Sequence, residues 1–66
     1  MLIVGEVVAF DEHVGLGTVG NGTDSWSFHC TALADGSRRV DVGQKVAFVV
    51  RPGAPGRWEA FEVTSV

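Results

Sequence analysis

Sixty-six residues with 45% hydrophobic side chains and a net charge of −3 bound one domain, 1–66, close to the smallest size at which a core folds unaided. One cysteine, Cys30, excludes an intrachain disulfide and the stapled secreted scaffolds that depend on it. The opening Met1-Leu2-Ile3-Val4 is broken by Gly5 and Glu6, too short for a signal peptide or a membrane span, so the expected setting is soluble, cytoplasmic and away from membranes.

Along the chain, short apolar runs rich in valine and phenylalanine alternate with glycine, proline, asparagine and aspartate, which is the pattern of strands and turns. The first strand is read as Leu2 to Phe10, turning at Asp11-Glu12-His13, and the second as Gly15 to Val19. Gly20-Asn21-Gly22-Thr23-Asp24 supplies residues that tolerate positive φ, as a tight hairpin requires. A third strand, Ser25 to Cys30, alternates cleanly, with Trp26 and Phe28 facing one way and Ser27 and His29 the other.

Residues 31–44 form the longest connection, with one helical turn expected at Thr31-Ala32-Leu33 and a turn at Ala34-Asp35-Gly36-Ser37. The fourth strand runs from Lys45 to Arg51 and ends at Pro52-Gly53-Ala54-Pro55-Gly56, because proline has no N–H for a ladder. The fifth is Arg57 to Thr64. Five short strands with a long third connection predict an all-β fold, a five-stranded antiparallel Greek-key barrel of the OB type, and closure suits so short a chain because it removes exposed sheet edges.

Charge is unevenly placed. Glu6, Asp11, Glu12, Asp24 and Asp35 precede the first basic residue, while Arg38, Arg39, Lys45, Arg51 and Arg57 all lie in the remainder. The front half therefore lacks the basic footprint on which phosphate binding relies.

Several runs resemble one family. Gly5-Glu6-Val7-Val8-Ala9-Phe10, Gly15-Leu16-Gly17-Thr18-Val19, Phe28-His29-Cys30-Thr31-Ala32-Leu33, Asp41-Val42-Gly43-Gln44-Lys45-Val46-Ala47-Phe48 and Ala60-Phe61-Glu62-Val63 look like a bacterial cold-shock protein, in order and over essentially the whole chain. The resemblance implies a small barrel on whose exposed sheet face single-stranded DNA or RNA lies, with lysines on the phosphates and Trp, Phe and His rings stacked on the bases. Position by position, the family's first-strand lysine and tryptophan fall on Val8 and Ala9, its second-strand phenylalanines on Leu16 and Thr18, its third-strand phenylalanines on Ser27 and Cys30, and a loop aromatic near Ser37. His29 remains, and Phe10 keeps the second aromatic of the first-strand pair.

Alternation places Leu16 and Thr18 on the same outward face as Ser27 and His29, while Val7, Val19, Trp26, Phe28, Val46 and Phe48 stay apolar for the core. Each base–aromatic stack is worth roughly 1–3 kcal/mol, so three lost stacks cost on the order of 3–9 kcal/mol, at least a hundredfold in affinity. Trp58 has two readings: a replacement stacker beside Arg57, or a ring that covers a barrel end or packs under the 31–44 loop, the second being the commoner use of tryptophan in small cores. Arg38, Arg39 and Lys45 make a modest basic patch.

Two enzyme-like spellings carry no chemistry. Gly15-Leu16-Gly17-Thr18-Val19-Gly20 fits G-x-G-x-x-G, but a hairpin turn rather than a helix follows it. His29 and Cys30 are neighbours in a strand and are expected on opposite faces, and one cysteine with two scattered histidines falls short of a zinc set. The expected protein is not an enzyme and takes no cofactor. It binds single-stranded RNA or DNA weakly through Phe10, Leu16, Thr18, His29, Arg57 and Trp58. The alternative is a barrel that has lost this activity and meets a protein partner or a second copy through the Val8, Ala9 and Leu16 face.

Overall fold

Turn chemistry divides the chain where strands end. The computed structural model describes residues 2–34, 36, 39–53 and 56–66. It contains β1 (Leu2–Asp11), β2 (Leu16–Gly20), β3 (Ser25–His29), β4 (Lys45–Pro52) and β5 (Trp58–Ser65), with a 3-10 turn at Cys30–Ala32. Asp11 shapes the first turn, its Oδ1 accepting from the His13 backbone N–H and its carbonyl from that of Gly15. Asn21 does the same for the second, where its Oδ1 accepts from the backbone N–H groups of Thr23 and Asp24.

The strands close into a barrel in the order β1-β2-β3-β5-β4. This is the all-β, five-stranded, OB-type barrel expected from the strand pattern. Four of the five junctions are antiparallel ladders. The fifth, β3 against β5, is parallel and rests on the single pair Ser27–Glu59, reinforced by a bridge between Leu33 and Val63.

β1 serves both halves of the barrel, pairing through residues 2–6 with β4 and through residues 6–11 with β2. A shift of register between Val7 and Ala9 makes this possible. The extra residue bends the strand and reverses its alternation. Val7 faces the core, Val8 and Ala9 are both exposed, and Phe10 turns back inward. Where β1 crosses β2, backbone meets backbone: a Cβ at Gly5 would run into the carbonyl of Gly20, so only glycine fits there.

Val7, Val19, Phe28, Leu33, Val46, Phe48, Ala60 and Val63 form the buried core. Phe28 and Phe48 are its largest members. Phe10 stacks on Phe28 with ring centroids 6.0 Å apart and planes 9° from parallel. Trp26 tilts against Phe48 at 5.6 Å and 59°. Trp26 thus packs as expected on its inward side, yet it is only half-buried and reaches one open end of the barrel. At the other end Leu33 enters the core, and Ala34 is held by its N–H donating to the Val63 carbonyl. The long connection is tied down further by Gln44, whose side-chain amide donates to Ser65 Oγ.

Of the turns expected beyond β3, Asp35 and Ser37 lie outside the described residues, as do Ala54 and Pro55 of the Pro52–Gly56 stretch. Pro52 itself is the last residue of β4 and faces Trp58 across the ladder. Among the described residues no helix is long and apolar enough to cross a membrane.

Candidate functional site

Residues singled out by the sequence fall at two separate places on the barrel. The first is the outer face of β1, β2 and β3. The ladders set Ala9 beside Thr18 and Asp11 beside Leu16 on one side, and Thr18 beside Ser27 and Leu16 beside His29 on the other. Gly17, paired with Phe28, faces inward, so alternation delivers Leu16, Thr18, Ser27 and His29 to one surface. Ala9, Phe10, Asp11, Leu16, Gly17, Thr18 and Ser27 bound a shallow depression of about 340 Å³ there.

Phe10 belongs to this face only by its margin. Strict alternation from Val8 would carry its ring outward, but the Val8 bulge turns it inward onto Phe28, where it is half-buried. What the surface offers is Leu16 at 51% exposure, with Val8 at 52% nearby. Glu6 and Asp11 are exposed on β1, and none of the first three strands contains a lysine or arginine. This surface is aliphatic and mildly acidic. It has no open ring except the imidazole of His29.

His29 has a structural task of its own. It caps the 3-10 turn, with Nδ1 accepting from the Thr31 backbone N–H at 3.2 Å and lying 2.9 Å from Thr31 Oγ1. In the neutral ring the proton then sits on Nε2, which is left as a donor on an exposed side chain. Cys30 departs from the sequence expectation. Its Sγ lies 3.8 Å from His29 Nδ1 rather than on the opposite face, because Cys30 is the first residue of the 3-10 turn and strand alternation no longer governs it. Among the described residues no group of three or more His, Cys, Asp or Glu side chains could hold a metal ion.

The second place is the barrel end beside the β2–β3 turn and the β4–β5 connection. Trp58 faces Pro52 across the ladder, two residues from the inward pair Val50–Ala60, so its indole projects over the barrel end rather than from the outer wall. It lies at the barrel end, one of the two positions expected for it as a structural ring, but is not buried there: it is 61% exposed. Ile3, Val50, Trp26 and Trp58, with Asn21 and Asp24 of the turn, line a cleft of about 560 Å³. Trp26, Asn21 and Asp24 are the functional candidates that sequence reasoning passed over. Pairing Pro52 with Trp58 fixes Trp58 on the inner side of the sheet, and closure of the barrel brings the start of β3 and the β2–β3 turn beside it.

The basic residues are dispersed. Arg39 lies 3.9 Å from Glu12, with both side chains exposed. Arg51 Nη2 donates to Glu62 Oε2 at 2.8 Å while its guanidinium sits 5.0 Å from the Phe61 ring centroid. Arg38 of the expected basic patch lies outside the described residues. Arg57 is exposed immediately before Trp58, with no side-chain partner among the described residues. Phe10, Leu16 and Thr18 therefore come together, with His29 beside Leu16, whereas Arg57 and Trp58 form a separate group.

Neither a protein-family model nor a curated protein matches this chain.

Proposed function

We propose that this chain is a divergent cold-shock-type barrel that binds single-stranded RNA or DNA weakly, in an RNA-chaperone-like or regulatory capacity. The observation that carries the reading is Trp58, a large ring left 61% exposed over an aromatic-lined cleft and followed back along the chain by an exposed arginine. A flat indole stacks on any base face, and an adjacent guanidinium meets the phosphate that comes with it. One such stack supplies about 1–3 kcal/mol. With two indoles at most and the described basic residues dispersed, the affinity falls well short of a full aromatic platform, and sequence preference along the strand is slight. His29 adds a donor, Nε2–H, on the neighbouring outer face. Leu16, Thr18 and Phe10 contribute shape there rather than stacking.

The test is tryptophan fluorescence titrated with oligo-dT and with a mixed-sequence RNA at low and moderate salt. Quenching that weakens as salt rises is expected, and its loss in Trp58→Ala assigns the stack. Binding that survives Trp58→Ala but disappears in His29→Ala would return the interface to the outer face of β2 and β3. No change at high micromolar oligonucleotide in low salt defeats the proposal.

A second reading is favoured by the exposure of Val8, Ala9 and Leu16 on one face, an aliphatic surface suited to a protein partner or a second copy. Light scattering of the free protein tests it: a concentration-dependent dimer supports this reading, and a monomer throughout weighs against self-association.

A further inference from the structure

The barrel-end cleft differs from a bare apolar patch in its rim. Ile3, Val50 and the two indoles make its apolar lining, and Asn21 and Asp24 are the polar residues that line it. The β2–β3 turn decides what those atoms are free to do. Asn21 Oδ1 is already used twice, accepting from Thr23 N–H at 2.9 Å and Asp24 N–H at 2.8 Å. That leaves the Asn21 NH₂, with two donors and no partner among the described residues. Asp24 is anchored through its backbone, its N–H on Asn21 Oδ1 and its carbonyl accepting from Asn21 N–H at 3.1 Å. Its carboxylate has neither a hydrogen bond nor an ion pair among the described residues. A fixed turn thus presents one neutral donor and one anionic acceptor at the edge of an indole-lined cleft.

This combination selects among the ligands that two indoles could take. An organic cation is held by rings and acceptors, and the Asn21 donor would oppose it. A plain apolar ring would cover the carboxylate without satisfying it, which is costly. A nucleobase edge uses both groups. Of the common bases, guanine alone places two adjacent donors, N1–H and N2–H, where one carboxylate can accept both, next to an acceptor, O6, for an amide NH₂. Adenine and cytosine bring a single exocyclic amino group, and uracil and thymine a single ring N–H.

We infer that the Trp26–Trp58 cleft takes an unpaired guanine of a single strand. Asp24 accepts from N1–H and N2–H, Asn21 donates to O6, and Trp58 stacks on the ring face. The inference rests on the nucleic-acid reading above and adds one base-selective position to otherwise unselective binding. The cleft lies within the size range of small-ligand sites, about 300–1,000 Å³. Arg57, adjacent to Trp58, is placed in sequence to meet the backbone of the same nucleotide.

The experiment compares dT₈ with versions carrying one central guanine, hypoxanthine or adenine, using tryptophan fluorescence at low salt. A single guanine is expected to tighten binding by about five- to hundredfold, the range one bidentate base contact provides. Hypoxanthine, which lacks the N2 amino group, should recover only part of that gain, and adenine none. Asp24→Asn should abolish the guanine preference, read as the ratio of the affinities for the guanine version and for dT₈, and should leave the thermal melt unchanged, because the carboxylate takes no part in the turn. Equal affinity for dT₈ and its guanine version, or a preference that persists in Asp24→Asn, overturns the inference and leaves the nucleic-acid reading standing. If no oligonucleotide binds, that reading fails instead, and free guanosine decides the cleft: Asp24-dependent quenching supports it, and quenching no greater than that by tetramethylammonium overturns it.

Discussion

Adding a single methyl group at position 17 probes the packing on which the barrel depends. Phe10, Gly17 and Phe28 lie in one row across β1, β2 and β3. A Cβ at Gly17 would stand 2.6 Å from both Cε1 and Cζ of Phe28 and 2.9 Å from the carbonyl oxygen of Ala9. These separations are too short for any carbon contact, so something must move. Phe28 is 1% exposed and has Phe10 stacked on its face, and Ala9 O is backbone, so neither can withdraw cheaply. Overpacking of this kind costs about 1–3 kcal/mol. Gly17 is not among the positive-φ residues, so alanine's lower unfolded-state entropy returns about 0.5–1 kcal/mol. Three contacts under 3.0 Å place the cost in the upper half of that range, so the net expectation for Gly17→Ala is a loss of about 1–2.5 kcal/mol, with about 4–8 °C in Tm for each kcal/mol in a domain of this size. Urea unfolding followed by tryptophan fluorescence measures it. Phe28→Leu vacates the space that the methyl needs, so the double variant should lose less than the sum of the two single changes. A Gly17→Ala protein as stable as the parent, or strict additivity with Phe28→Leu, would refute the reasoning.

Phe48→Ala removes a fully buried ring that also supports Trp26, at a cost of about 3–5 kcal/mol. Total stabilities run at about 0.05–0.15 kcal/mol per residue, about 3–10 kcal/mol for this chain, so the loss takes a third or more of the whole and near-UV circular dichroism should show the native signal melting at a much lower temperature. Arg51→Ala should cost no more than about 1 kcal/mol, shrinking as salt is added, because both partners of its bridge to Glu62 are exposed. In that background Glu62→Gly should raise stability by about 1 kcal/mol, since Glu62 holds a left-handed φ of 53° and its ion pair is already gone; thermal melts check both. His29→Ala should lose about 1 kcal/mol with the cap on Thr31 N–H, and His29→Asn, which keeps an acceptor, should recover most of it by the same melts.

Much of the barrel is legible in the residues that make it. Asn21 and its flanking glycines announce the β2–β3 turn, and the alternation of Trp26, Ser27, Phe28 and His29 separates the inward rings from the outward Ser27 and His29. Alternation fails wherever the backbone leaves the plain strand. One inserted residue at Val8 sends Phe10 inward, and no local signal in Glu6-Val7-Val8-Ala9-Phe10 marks a bulge, since valine is an ordinary strand residue. Cys30 meets the His29 ring because a 3-10 turn begins there, one residue before a sequence reading would start it. Trp58 shows a different gap. Its side of the sheet follows from the hairpin register, but its exposure depends on how far β5 extends past the barrel end, which is a property of the closed fold. The same closure brings Trp26, Asn21 and Asp24 to Trp58 from a hairpin more than thirty residues away.

Mapping amide and indole N–H chemical shifts during a titration with a short oligo-dT locates the interface directly. The largest changes are expected on the indole N–H groups of Trp58 and Trp26 and on the backbone of Asn21 and Asp24, with smaller ones at His29. Shifts confined to Leu16, Thr18 and Ser27 on the outer face, or no shifts at all at low salt, would contradict a barrel-end interface.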